Sequence, residues 1–169
     1  MFFLYQPGFA NKCLALGAFT LGILTDYADG RLARKMGQVT ALGQLLDPIA
    51  DKVLVFSAFL SFVEMRLLPA WMVILMLARE VLVTGFRLLG ATRGVTLAAS
   101  RGGKHKTALQ ATSIIIILLF VTARETAYWK PEWTPHTVTV IQWSMLAVIF
   151  ITLASGVSYV AKNWKKVNG

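Results

Sequence analysis

Four aspartates are the residues of this 169-residue chain whose type and spacing best suit chemistry. They are all of the aspartates in the sequence, and they occupy positions 26, 29, 47 and 51. A step of three or four residues returns a helical side chain to the same face, so Asp26 with Asp29, and Asp47 with Asp51, would each form a carboxylate pair. Hard divalent cations prefer such oxygen donors. The spacing predicts a metal site between two helices, because aspartates merely solvated at helix ends would be scattered and mixed with glutamate.

The composition indicates which elements must position these carboxylates. Hydrophobic residues make up 56% of the chain and charged residues 15%, a balance typical of an integral membrane protein. A bilayer core of about 30 Å needs ~20 mostly apolar residues per spanning helix. Five stretches are predicted to span: residues 11–34, 41–63, 68–91, 107–126 and 136–161. We therefore expect an all-α fold, a polytopic bundle of transmembrane helices that forms one domain over residues 1–169.

The basic residues predict how the bundle is oriented. Thirteen of the seventeen Lys and Arg residues lie on the side of the aspartates, and four lie on the other side: Lys12, Arg66, Arg124 and Lys130. Basic residues near helix ends favour the cytoplasmic side. We therefore expect the aspartates at the cytoplasmic face of a bacterial-type inner membrane. The net charge of +9 favours anionic headgroups and substrates, and no nucleic-acid-binding signature is present.

Three further charged residues interrupt an apolar helix, where ionisable groups are functional candidates. Arg79 and Arg87 are eight residues apart, a little over two turns, so they lie on nearly the same stripe. Guanidinium groups bind phosphate oxygens in a bidentate way, and Lys104 near the next helix N-terminus would add positive charge. Together these residues predict a phosphate pocket. We interpret Glu80 as a partner that pairs with or orients an arginine.

Small residues accompany the aspartates. At Gly30, Ala33 and Gly43 no large side chain covers the backbone, so a nucleotide or a neighbouring helix can approach it closely. Helix packing alone would explain any one of them, and both interpretations stay open on the residues themselves.

The residues around the aspartates form a recognisable pattern. It reads Asp26-x2-Asp29-Gly30-x2-Ala33-Arg34-x8-Gly43-x3-Asp47-x3-Asp51. This pattern resembles, position for position, the signature of the CDP-alcohol phosphotransferase family. Further segments resemble one branch of that family, the phosphatidylglycerophosphate synthases: residues 46–52, 78–80, 83–87, 103–107 and 154–159.

The resemblance implies a reaction and a set of partners. Members of the family join an alcohol to a CDP-activated group with loss of CMP, and they bind two divalent metals. Mg²⁺ is the expected ion because of its abundance, and Mn²⁺ also fits oxygen ligands. For this branch the implied substrates are CDP-diacylglycerol and sn-glycerol 3-phosphate, and the implied product is phosphatidylglycerophosphate. The resemblance also implies a homodimer in the lipid bilayer.

The resemblance further implies roles for particular residues. Asp26, Asp29, Asp47 and Asp51 would hold the metals, and Asp51 would also be the general base. The CDP group would be bound by Asp29, Gly30, Ala33, Arg34 and Gly43. The acceptor phosphate would be bound by Arg79, Arg87 and Lys104.

Several alternatives accompany this interpretation. The family has six transmembrane helices after an amphipathic start, so five spans predict a chain that is incomplete at its N-terminus, and a non-catalytic remnant is one alternative. Another is a family member with a different acceptor, such as serine, inositol phosphate or phosphatidylglycerol. A third is an ion transporter, because buried carboxylates and arginines also line transport pathways. Against the transporter, the acids cluster at one membrane face and no half-helix repeat is visible.

Overall fold

The computed structural model describes the backbone of residues 2–36, 41–95 and 101–168, and the side chains of residues 2–25, 52–95 and 108–167. Within these ranges the secondary structure is helical, without a strand. The helices are α1 (Phe2–Tyr5), α2 (Phe9–Met36), α3 (Ala41–Glu64), α4 (Ala70–Thr92), α5 (Arg101–Arg124) and α6 (Trp133–Asn168). The all-α class predicted from the sequence is confirmed.

The five long helices correspond one by one to the five predicted stretches. Each contains 23 to 36 residues, and at 1.5 Å per residue even the shortest extends over about 35 Å. The boundaries lie within a few residues of the predicted ones, except that α5 begins at Arg101 and α6 ends at Asn168. Apolar composition located these helices well because little except helix satisfies backbone polar groups in an apolar setting.

The short helix α1 was not predicted. It is held by Lys12 of α2, whose side chain is 4% exposed and whose Nζ donates to the carbonyl oxygens of Leu4 at 2.6 Å and Gln6 at 2.8 Å. These carbonyls lie at and just beyond the end of α1, where no further helical turn donates N–H groups to them. Four residues are too few for a periodic pattern, and the contact that holds them comes from the next helix.

The helices pack around an apolar core contributed mainly by α3 to α6. Its fully buried side chains include Phe59, Phe62, Met76, Ile117 and Met145. The packed pairs include α4 with α6, α2 with α5 and α5 with α6. The helix α6 thereby contacts the arginine-bearing helix α4, which brings the candidate phosphate pocket against the C-terminal part of the chain.

The outer surface of the bundle is also apolar. Phe150 is 74% exposed, and Val157 and Leu82 are exposed to a similar degree. Helices that carry large apolar side chains on their outer face as well as on their buried face are typical of proteins surrounded by lipid. Among the described residues, one helical stretch is long and apolar enough to cross a membrane, Trp133–Val167 in α6. The described parts of α2 and α5 contribute shorter apolar stretches, Phe9–Thr25 and Ala108–Arg124.

Candidate active site

The aspartates all fall on helical backbone. Asp26 and Asp29 belong to α2, and Asp47 and Asp51 belong to α3. Their side chains lie outside the described residues, and the surroundings of the other predicted CDP- and phosphate-binding residues on these helices and on α5 are likewise not described: Gly30, Ala33, Arg34, Gly43 and Lys104. Four carboxylates at helical spacing are a donor set that fits divalent cations with oxygen ligands. The metal and CDP assignments remain predictions.

The described part of the site begins at Lys52, the residue after Asp51. Its Nζ lies 3.9 Å from Oε1 of Glu80 on α4. The other carboxylate oxygen of Glu80, Oε2, accepts a hydrogen bond from Nη1 of Arg79 at 3.2 Å. This confirms that Glu80 partners an arginine. The link joins the helix that carries Asp47 and Asp51 to the helix that carries both arginines.

Arg79 is almost completely buried between α4 and α6, with 7% of its surface exposed. Its Nε donates to the carbonyl oxygen of Thr152 at 3.2 Å, and Nη2 donates to Oγ of Ser155 at 3.2 Å. With the bond to Glu80, all three guanidinium nitrogens have acceptors. These hydrogen bonds offset the cost of burying the cation. A guanidinium has five N–H groups, so two N–H donors of Arg79 are left after the three contacts.

Arg87 lies in a different environment on the same side of α4. Its guanidinium carbon lies 5.9 Å from the centre of the Tyr159 ring of α6, within the range of a cation–π contact, and the residue is exposed. Phe86 packs between the rings of Tyr159 and Trp164, edge-on to the first and parallel to the second. The two arginines thus both contact α6, which is consistent with the single stripe of α4 that their spacing predicted.

A cavity of about 600 Å³ lies between α4 and α6 beside these residues. Its walls are apolar apart from Arg79, which contributes to the lining together with Leu82, Phe86, Val157 and Trp164. The polar group that borders this apolar space is therefore a buried, fully oriented cation.

The sequence pattern included residues 154–159 but assigned them no role. The structure shows that Ser155 accepts a hydrogen bond from Arg79 and that Tyr159 lies under Arg87. A serine and a glycine adjacent to each other in a long apolar helix are the signal that would have marked this segment. Its partner helix could not be read from spacing, because α4 and α6 are far apart in the chain.

The sequence is similar to known proteins over most of its length. The sequence model of the CDP-alcohol phosphatidyltransferase family matches residues 1–160. The CDP-diacylglycerol–glycerol-3-phosphate 3-phosphatidyltransferase of Bacillus subtilis (strain 168) is 38% identical over 150 residues, which cover 87% of this chain and 72% of that protein. A probable phosphatidylglycerophosphate synthase of Mycobacterium tuberculosis (strain ATCC 25618 / H37Rv) is 38% identical over 161 residues, 95% of this chain and 70% of that protein.

Proposed function

Because the chain belongs to the CDP-alcohol phosphatidyltransferase family, we propose that it transfers the phosphatidyl group of CDP-diacylglycerol to sn-glycerol 3-phosphate. The products are phosphatidylglycerophosphate and CMP, and the step belongs to phospholipid synthesis. The relatives that bear the name of this activity are similar over most of the chain. The observation that carries the choice of acceptor is the pair of guanidinium groups on α4, one oriented and one exposed, both against α6.

The charge of the acceptor explains why two arginines are needed. Glycerol 3-phosphate carries its own phosphate, and charge-assisted hydrogen bonds from guanidinium groups are the strongest way to hold one. Arg87 is exposed, and Arg79 retains two N–H donors. We assign the acceptor phosphate to Arg79, Arg87 and Lys104. Serine has no phosphate and would leave these cations without an anion.

The chemical step exchanges one phosphorus–oxygen bond for another. The free hydroxyl oxygen of the acceptor attacks the phosphorus that carries diacylglycerol, and the bond from that phosphorus to the CMP oxygen breaks. Asp51 takes the hydroxyl proton, as the resemblance implies. An aspartate in water has a pKa near 4 and is a weak base, so polarisation of the acceptor hydroxyl must assist the proton transfer.

The other residues of the aspartate pattern, between positions 26 and 51, hold the donor. Asp29, Gly30, Ala33, Arg34 and Gly43 bind the CDP group in this proposal. Asp26, Asp29, Asp47 and Asp51 hold two divalent cations, Mg²⁺ by abundance or Mn²⁺. When bound, such ions neutralise phosphate charge during phosphoryl transfer.

The proposed setting is a membrane. The five long helices span the bilayer, the aspartates face the cytoplasm at the inner membrane, and the chain forms one domain and assembles as a homodimer. The apolar outer surface supports the first part of this arrangement. The acyl chains of the donor then stay in the bilayer, and only the headgroup reaches the polar site.

The function is tested by CMP release from CDP-diacylglycerol by the purified full chain with Mg²⁺. We expect release with glycerol 3-phosphate and little without an acceptor or with serine, inositol phosphate or phosphatidylglycerol. Release that depends on one of those three would replace the proposed acceptor, and no release with any of them would favour a non-catalytic protein.

The acceptor pocket is tested by Arg87→Ala, with Arg124→Ala at the end of α5 as the control. Loss of a charge-assisted hydrogen bond should raise the KM for glycerol 3-phosphate by about tenfold or more, with little change in the KM for CDP-diacylglycerol. Arg124→Ala should change neither value. An unchanged acceptor KM in Arg87→Ala would remove Arg87 from the pocket.

A further inference from the structure

We propose that α6 positions Arg79 for the acceptor phosphate through the hydroxyl group of Ser155 and the bare backbone of Gly156. The inference rests on the proposed function, because it concerns an arginine assigned there to the acceptor. It adds two positioning residues on a helix that carries none of the predicted metal, CDP or phosphate ligands.

The hydroxyl group of Ser155 can only act as an acceptor toward Arg79. Its single hydrogen is donated to the carbonyl oxygen of Thr152, at 2.9 Å. The lone pairs of Oγ are therefore available for Nη2 of Arg79, which lies 3.2 Å away. The carbonyl oxygen of Thr152 also accepts from Nε of Arg79. One turn of α6 thus supplies two acceptors of fixed direction.

Gly156 provides the space in which the guanidinium group lies. A methyl group at this position would lie 3.0 Å from Nε and 3.1 Å from Cγ of Arg79. These separations are shorter than ordinary van der Waals contacts, so the arginine would have to move by a few tenths of an ångström. It is buried and bonded at three nitrogens, so movement would lengthen hydrogen bonds that are already 3.2 Å long.

Fixing three atoms of a planar group fixes its plane. With Nε bound to Thr152, Nη1 to Glu80 and Nη2 to Ser155, the two remaining N–H bonds of Arg79 have defined directions. Orientation of this kind lowers the entropy lost when an anion binds. Displacement of the arginine should therefore weaken binding of the acceptor while leaving the nucleotide end of the site unchanged.

A double-mutant cycle tests this inference. Gly156→Ala and Ser155→Ala are each measured in the full chain and in an Arg79→Ala background, with kcat/KM for glycerol 3-phosphate as the readout. Each single change should lower kcat/KM by about tenfold, mainly through KM, because a hydrogen bond to a charged group is disturbed. In the Arg79→Ala background each should have almost no further effect, because the residue it positions is gone.

Gly85→Ala on α4 is the matched control. It introduces the same methyl group into a helix, but among the described residues no atom outside the adjacent turns of α4 lies within 4 Å of the new position. Its kinetic constants should equal those of the unaltered protein. Melting temperatures of all variants in the same detergent show whether a loss of activity is a loss of folding. If Gly156→Ala does not fold, the test rests on Ser155→Ala, which only removes an oxygen atom.

The outcomes separate this inference from the proposed function. Equal losses from Gly156→Ala or Ser155→Ala with and without Arg79 would show that α6 does not act through the arginine and would overturn the inference. The inference would also be overturned if the α6 changes lower the melting temperature only when Arg79 is present but leave the KM for glycerol 3-phosphate unchanged. The contact would then be structural only. Unaltered protein that releases no CMP with any acceptor would instead contradict the proposed function.

Discussion

The two arginines of α4 show how the local environment sets the role of a charged side chain. Arg79 and Arg87 have the same side chain and lie on the same helix, but one is buried with three acceptors and the other is exposed over an aromatic ring. Burial without those acceptors would leave an uncompensated cation, which is strongly destabilising. The environment, more than the residue type, therefore fixes the position of Arg79 in the candidate site.

Thr152 shows the opposite situation at the same turn of α6. Its backbone carbonyl accepts hydrogen bonds from the side chains of Arg79 and Ser155, but its side-chain Oγ1 is buried and has no partner among the described residues. A buried hydroxyl without a partner costs about 1–3 kcal/mol. The residue thus contributes to the site through its backbone.

The proposed base is tested by Asp51→Asn, which keeps the size of the side chain and removes its capacity to accept the proton. Turnover should fall by about 10²- to 10⁴-fold, the range that general-base catalysis contributes. Binding of CDP, measured by calorimetry in the presence of Mg²⁺, should persist. Retention of full turnover would falsify the role of Asp51 as base.

The ends of the helices show how elements are terminated. Helix α4 ends at Thr92 and is followed by Gly94 in the left-handed region at φ 75°, where Val95 N donates to Gly90 O and Gly94 N donates to Ala91 O. Helix α3 ends in the same pattern, with bonds from Leu67 N to Phe62 O and from Arg66 N to Val63 O. These bonds form a Schellman motif, whose left-handed position favours glycine. In α3 that position is occupied by Arg66 at φ 59°.

The difference between the two helix ends predicts that Arg66→Gly stabilises the protein. A non-glycine residue in the left-handed region costs about 1 kcal/mol, partly offset by the greater freedom of glycine in the unfolded chain. The melting temperature in detergent should therefore rise for Arg66→Gly.

The reciprocal change at the end of α4, Gly94→Ala, should lower the melting temperature, because a methyl group would then occupy the strained conformation. A lower melting temperature for Arg66→Gly would mean that the arginine side chain stabilises the turn by more than its backbone strain.

The molecule as a whole presents apolar side chains outward and basic residues toward the proposed cytoplasmic side. Helix α6 illustrates both features, because it contains an apolar stretch long enough to cross a bilayer and ends with Lys165 and Lys166 in its last turn. Arg93 donates to the carbonyl oxygen of Val167 at 2.7 Å, which places a cation at the negative end of the helix dipole. Arg93 therefore contributes to the fold, in addition to the charge pattern from which the orientation is predicted.

The orientation is tested by cysteine labelling. In a Cys13→Ala background, the only native thiol is removed, and single cysteines are introduced at Tyr128, which is 91% exposed, and at exposed Lys165. The positive-inside rule predicts that a membrane-impermeant maleimide labels Tyr128→Cys in intact cells and labels Lys165→Cys only after the membrane is opened. If Lys165→Cys is labelled in intact cells and Tyr128→Cys only in opened ones, the topology is the reverse of the proposed one. Labelling of both positions in intact cells would argue against α6 as a membrane span.

Much of the fold and part of the site could be predicted from the sequence. The apolar stretches located five long helices, because a helix is the element that satisfies its own backbone in an apolar environment. The aspartate pattern indicated the family, which the family model confirms. The spacing of Arg79 and Arg87 placed both on one side of α4, because the helical period is a local property of the chain.

Only the tertiary structure decided what those arginines contact. Ser155, Gly156 and Tyr159 lie more than seventy positions further along the chain from the arginines they touch, and no local period relates them. The link between Lys52 and Glu80 also joins two helices that no local period relates, and it connects the helix of the proposed base to the candidate phosphate pocket. The sequence by itself determined the helices, since apolar stretches are local, and it indicated the family and the candidate ligands through the resemblance of the aspartate pattern. The packing of α4 against α6 decided which cation is buried and oriented and which is exposed, since burial and hydrogen-bond partners arise only when distant helices meet.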